Sequence, residues 1–240
     1  MGEREQRKWG ISGSTLKIIA IISMLIDHTG AAVVRYMLTT EEMLCFYNIL
    51  RDIGRIAFPI FCFLLVEGFL HTSDVKKYAV RLGMFALISE IPFDLAVINH
   101  KMYSYMSHQN VFFTLLLGLM VMIAFRYIEC TIPAGSAWQW TLYLFCMGAG
   151  AGIAYLFKTD YSYKGIVCIM VIYLFRTKRI WQCAAGALSF FWELPAPLAF
   201  IPIYFYNGKR GLRMKYFFYA FYPVHLLVLY IIAHYIMKLY

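Results

Sequence analysis

Apolar residues run through this chain in stretches of membrane-crossing length, separated by short polar and basic segments. The runs predict helices at 15–38, 48–70, 78–99, 111–128, 138–157, 164–176 and 217–237. A helix of about 20 apolar residues crosses the hydrocarbon layer, and helices satisfy their own backbone polar groups there. The stretch 180–206 is ambiguous. Glu193-Leu194-Pro195-Ala196-Pro197 interrupts it, and proline removes backbone donors. It reads either as one kinked crossing or as two short helices that enter and leave on one side. The expected fold class is an all-α, polytopic transmembrane bundle of about eight to nine segments.

Composition agrees: 62% of residues are hydrophobic and only 15% are Asp, Glu, Lys or Arg, against about 25% in an ordinary soluble domain. Residues 1–14 are expected to form a cytoplasmic amino-terminal segment and 15–240 one integrated membrane domain. The first apolar run is too long for a secretory signal and is expected to stay as the first span. Six scattered cysteines offer no metal-ligand spacing, so no metal is expected. The net charge of +9 fits basic loops at anionic headgroups better than nucleic-acid binding.

Basic residues set the expected orientation. Arg4, Arg7, Lys8 and Lys17 precede or open the first span, Lys76, Lys77 and Arg81 follow the second, and Arg176, Lys178 and Arg179 precede 180–206. The alternate loops are poorer, holding Arg35 and Arg51, then Lys101, then Lys158 and Lys164. The amino terminus is therefore expected inside. Lys209, Arg210, Arg213 and Lys215 join the inner side only if 180–206 re-enters, which is the favoured reading.

Charge inside the spans carries the functional signal. Asp27 and His28 lie mid-span, Arg55 lies in the second span, Glu90 and Asp94 share a face of the third, and His225 lies in the last. Each buried charge costs at least about 2.5–3.5 kcal/mol on insertion scales, so these groups must face one another or a wet cavity. His28 lies about 16 Å above Lys17 at 1.5 Å per residue, at the depth of Arg55, Glu90 and Asp94. His108, Asn110 and Thr114 open the next helix, and Asp160 and Tyr161 sit in an outer loop. Asp27, Glu90 and Asp94 are the candidate partners of Arg55. Structural ion pairing and helix–helix hydrogen bonding are the plainer alternatives for several of these groups.

A histidine of near-neutral pKa can act as general base, and an arginine or a protonated carboxyl can steady an oxyanion. With basic inner loops, the set fits acyl transfer from a cytosolic acyl-CoA. Proton-coupled transport of a small molecule fits nearly as well, since transporters also bury such residues. A membrane scaffold would explain the spans but not the charges.

The motifs sharpen the choice. Leu16-Lys17-Ile18-Ile19-Ala20 runs into Met24-Leu25-Ile26-Asp27-His28-Thr29-Gly30, and Gly54-Arg55-Ile56-Ala57-Phe58-Pro59-Ile60-Phe61 is followed by Glu67-Gly68-Phe69 and His71-Thr72. Arg81-Leu82, Ser89-Glu90-Ile91-Pro92-Phe93-Asp94, His108-Gln109-Asn110-Val111-Phe112-Phe113-Thr114-Leu115 and Asp160-Tyr161 come next. Lys215-Tyr216-Phe217-Phe218-Tyr219 then leads to Tyr222-Pro223-Val224-His225-Leu226. In this order and over nearly the whole chain, they resemble the TraX family of membrane acyltransferases. The resemblance implies an acetyltransferase related to conjugative pilin acetylases, resident in the bacterial inner membrane and using acetyl-CoA. Its acceptor would be an amine or hydroxyl on a peptide, a protein such as pilin, or a small molecule. Asp27, His28, Arg55, Glu90, Asp94 and His225 would form the catalytic set, with His28 as base. His108, Asn110, Thr114, Asp160 and Tyr161 would bind substrate. Arg81, Arg176, Lys178, Arg179, Lys209 and Arg210 would meet the CoA phosphates. Ser162 departs from the pattern, which expects glycine after Asp160-Tyr161.

Overall fold

The computed structural model describes residues 9–98, 108–212 and 215–239. The orientation-setting Arg4, Arg7, Lys8, Lys101 and Arg213 lie outside these residues. The helices are α1 (Gly13–Ala32), α2 (Glu41–Gly54), α3 (Ala57–His71), α4 (Val75–Phe93) and α5 (Val111–Thr131), followed by α6 (Ala137–Leu156), α7 (Ser162–Leu174), α8 (Arg179–Ser189), α9 (Phe200–Tyr204) and α10 (Lys215–Ile231). Short 3-10 turns occupy Val34–Met37 and Ala196–Ala199, and π turns occupy Asp94–Ile98 and Ile232–Ile236. Among the described residues there is no named strand, only isolated bridges between Ile11 and Tyr206 and between Gln109 and Thr159. The expected all-α bundle is present. Gly13–Met37, Glu41–His71, Val111–Thr131 and Tyr216–Ile236 are each long and apolar enough to cross a bilayer. The protein is a membrane protein.

Local chemistry sets the helix ends. Ser12, Thr40, Asp74, Asn110 and Ser136 each accept a backbone amide at the start of α1, α2, α4, α5 and α6. Each cap satisfies an amide that the helix itself leaves unbonded. Glu41 and Glu42 fall in the first turn of α2, where the helix dipole favours anions. The expected helix at 48–70 is therefore longer and broken: it starts at Glu41, and Arg55 and Ile56 separate α2 from α3. Pro59 supplies the reason, because it cannot donate to the carbonyl of Arg55 one turn earlier. The π turn at Asp94–Ile98 follows Pro92 in the same way.

Packing fixes the helix directions. Lys17 lies 5.2 Å from the Phe218 ring centroid and His28 meets His225, so α1 and α10 run parallel. Cys168 donates to the carbonyl of Ser189 and Gln182 to that of Ile172, so α7 and α8 are antiparallel. The chain then turns at 190–195 and comes back through α9. Its end rejoins the start of the chain: Asn207 donates its amide to Ile11, and Gly13 and Ser14 donate to Lys209 and Arg210. The Arg179 guanidinium, at the start of α8, sits 5.2 Å from the Tyr206 ring. Both ends of 180–206 thus lie at the end of the bundle where α1 begins, as the re-entrant reading expects. Small residues allow the close contacts: an added Cβ at Gly118 would strike Ile169, and one at Gly150 would strike Val121. In a bilayer such close packing replaces the hydrophobic drive between helices.

Two cavities and a histidine pair as the candidate functional site

The bundle holds a cavity on each side of the His28–His225 pair. The smaller, about 400 Å³, is lined by Asp27, His28, Arg51, His108, Asp160, Tyr161 and Glu193 among others. The larger, about 650 Å³, opens at the end where α1 begins, with Lys17, Lys77, Arg81 and Arg210 on its wall.

Asp27 is held by Arg51, whose Nη1 donates to Oδ2 at 2.7 Å. Arg55, one turn further, donates from Nη1 to Glu193 Oε1 at 2.7 Å. The expected partner of Arg55 was Asp27, Glu90 or Asp94; the re-entrant tip supplies Glu193 instead. Gly54 permits this arrangement, because an added Cβ there would land on the Asp27 side chain. Ser23 strengthens the same crossing by donating to the carbonyl of Ile53.

His28 Nδ1 lies 2.6 Å from His225 Nε2, and His225 Nδ1 lies 2.7 Å from the carbonyl of Phe221. A carbonyl can only accept, so His225 carries its proton on Nδ1 and offers Nε2 as an acceptor. His28 must then carry its proton on Nδ1, which leaves its Nε2 as a bare lone pair. That nitrogen lies 3.9 Å from Asp27 Oδ2, on a residue that lines the smaller cavity. The carbonyl–His225–His28 chain fixes ring orientation and tautomer, as a carboxylate does in a catalytic triad. The group hydrogen-bonded to His28 Nδ1, and so orienting it, is His225.

The loop after α6 closes this cavity. Gln109 donates its amide to the carbonyl of Lys158, and Tyr161 donates its amide to Thr114 Oγ1 at 3.4 Å. The Asp160 carboxyl faces the cavity yet is crowded by protein. Burial and the negative charges of Asp27 and Glu193 push it up to about 7. Tyr161 stacks on Phe58, with Trp192 of the re-entrant tip beside it.

Several expected residues sit one layer back. Asn110 caps α5, donates to the carbonyl of Ala86 at 2.8 Å and hydrogen bonds Glu90. Thr114 holds the Tyr161 loop. Glu90 Oε1 and the buried Asp94 Oδ1 have no hydrogen-bond partner among the described residues, and neither residue lines the smaller cavity. Of the expected phosphate contacts, Arg81 and Arg210 line the larger cavity. Arg176 instead makes two 2.8 Å bonds to Glu129 and lies over the Tyr173 ring. Arg179 bonds Gln182 and lies 3.5 Å from Glu67, while Lys178 and Lys209 are exposed outside the cavity wall. Among His, Cys, Asp and Glu of the described residues, no group of three or more is placed to hold a metal.

A family model described as TraX protein matches residues 12–233, which takes in both cavities and the histidine pair. The chain belongs to the TraX family. It is also similar to the probable fimbrial assembly protein FimC, serogroup H1, of Dichelobacter nodosus. The two are 28% identical over 244 residues, covering 93% of this chain and 96% of that protein. No solved structure matches.

The departure from the TraX pattern at Ser162 falls at a telling place. Its φ is +46°, in the left-handed region that glycine enters freely and side-chain-bearing residues enter at a cost. The serine closes a turn here, with its amide 2.7 Å from the carbonyl of Thr159. Arg51 and Glu193 are cavity residues, each in an ion pair, that sequence reasoning did not place in the site. Glu193 is the only carboxylate in 180–206, so the buried-charge rule applied there would have found it. Arg51 would have followed from a helix started at Thr40.

Proposed function

We propose that this protein is a membrane acyltransferase. An acyl-CoA, with acetyl-CoA as the first choice, occupies the larger cavity, and an amine acceptor occupies the smaller. The bare Nε2 of His28 carries this reading: a neutral imidazole with one tautomer enforced, facing a wet cavity, is a general base ready to act. It removes a proton from the acceptor amine as the nitrogen attacks the thioester carbonyl. The C–S bond then breaks, and the CoA thiolate leaves and takes up a proton. The guanidinium of Arg51, already beside Asp27 and lining the same cavity, would steady the developing oxyanion.

Distance supports an extended donor. Lys17 and His28 are separated by about 16 Å along α1. A donor with its phosphates at Lys17, Lys77, Arg81 and Arg210 must carry its reactive carbon on an arm of that length. A pantetheine thioester has such an arm; a short acyl phosphate does not. The relative named as a fimbrial assembly protein and the family resemblance make a pilin amino terminus the first acceptor to try.

The direct test is His28→Ala in purified full-length protein, with acetyl-CoA and a pilin amino-terminal peptide. Transfer should fall by about 100- to 10,000-fold while CoA binding persists. Full turnover by the variant would remove His28 as base. Proton-driven uptake in liposomes, without CoA binding, would favour the transporter reading.

A further inference from the structure

The two cavities are separated by a wall only about one helical turn thick. On α1, Met24 lines the larger cavity and Asp27 and His28 the smaller. On α5, Phe112 lines the larger, and His108, in the segment just before that helix, lines the smaller. On α10, Tyr222 lines the larger and His225, three residues on, bonds His28. Three to four residues along a helix is about 5–6 Å. Met24, Phe112 and Tyr222 are all buried in this wall. The Tyr222 ring stands edge-on to His28 at 5.8 Å and to Phe112 at 5.1 Å between centroids. It therefore touches the proposed base on one side and the proposed donor cavity on the other.

We propose that Tyr222, backed by Met24 and Phe112, selects the acyl group by length. The inference rests on the acyltransferase reading of the same site. The reacting carbon must come within about 3–3.5 Å of an acceptor nitrogen held at His28. The donor arm fills the larger cavity and the acceptor the smaller, so the acyl substituent has to lie within the wall itself. A two-carbon acyl group is short enough to fit where the Tyr222 ring yields slightly. Each further methylene presses on close-packed side chains, and a pocket discriminates about 10- to 200-fold per methylene. Tyr222 acts here as a specificity-determining residue, with no proton or bond of its own in the transfer.

The test uses full-length protein in detergent and needs no acceptor. Binding is measured for CoA and for its S-ethyl, S-propyl and S-butyl thioethers, which mimic acyl chains of rising length without reacting. Wild type should lose at least tenfold in affinity between S-ethyl and S-butyl. Tyr222→Ala should hold the two within about twofold, each read relative to the variant's own CoA affinity. Met24→Ala, a smaller change in the same wall, should shift the profile the same way and carries the test if Tyr222→Ala fails to fold. An unchanged chain-length profile in variants that bind CoA would overturn the inference and leave the acyltransferase reading standing. Failure of the wild type to bind CoA at all would overturn both.

Discussion

The two cavities differ in how their charges are satisfied. Around the smaller one, polar groups are paired in fixed geometry: Arg51 with Asp27, Arg55 with Glu193, and the neutral His28 with His225. Around the larger one, Lys17, Lys77, Arg81 and Arg210 line the wall at the end of the bundle where α1 begins, in reach of headgroups and water, and Lys77 pairs with Asp74 through an exposed side chain. Fixed pairing in a low-dielectric interior keeps one protonation state and one orientation, which chemistry requires. A looser basic mouth attracts a polyanion without dictating its pose. On the proposed reading, the first region reacts and the second holds the donor.

The largest effect that would break this contrast is expected at His225. His225→Leu removes the acceptor of the His28 Nδ1 proton and frees the ring to flip. Turnover should fall about 10- to 1,000-fold with little change in donor binding, by analogy with loss of the orienting group in a triad. His225→Gln can still accept through its side-chain oxygen and should recover part of the rate. Equal loss in both variants would mean that His225 only packs. The larger cavity should respond in the opposite sense. Arg81→Ala is expected to raise the donor KM about tenfold and leave kcat within twofold, as loss of uniform binding does. A fall in kcat with unchanged KM would put Arg81 in the chemistry.

Asp160 offers a pH test of the smaller cavity. Its carboxyl is raised to about 7, so it is neutral below that pH and anionic above. An ammonium acceptor held by the anion should bind more tightly as pH rises through 7, and Asp160→Asn should flatten that fall in acceptor KM. Linkage runs the other way for stability. A raised carboxyl favours the folded state at low pH and withdraws that favour as pH climbs through the folded value. Asp160→Asn should therefore gain stability over wild type at pH 8 more than at pH 5, read as detergent melting temperatures. The smallest expected effect is at Ser162. Glycine suits its positive φ, at some cost in unfolded-chain entropy, so Ser162→Gly should stabilise by up to about 1 kcal/mol. Destabilisation would mean that the serine makes a contact worth more than its strain.

Much of this was legible in the sequence because the bilayer imposes harsh rules. Long apolar runs had to be helices, and Asp27, His28, Arg55 and His225 had to find company. The basic cluster near 209 was reason enough to expect that 180–206 turns back, and the Ile11–Tyr206 pairing places it there. The pairing of charges was not legible. Arg51 looked like a loop residue, since the cap at Thr40 is weak evidence beside an apolar run that starts later. Glu90 and Asp94 looked catalytic because they share a face with the right depth, but Asn110 draws Glu90 toward the α4–α5 contact.

By itself the sequence determined that the chain lives in a membrane, that it is helical, that it belongs with TraX, and that it buries ionisable groups at one depth. The family rests on the motifs; the rest follows from the cost of exposing backbone or charge to hydrocarbon, which depends on residue type and spacing alone. Only the tertiary structure decided which group answers which, because adjacent helices meet through side-chain directions that spacing does not fix. That is how a second histidine, 197 residues away, came to set the tautomer of the first.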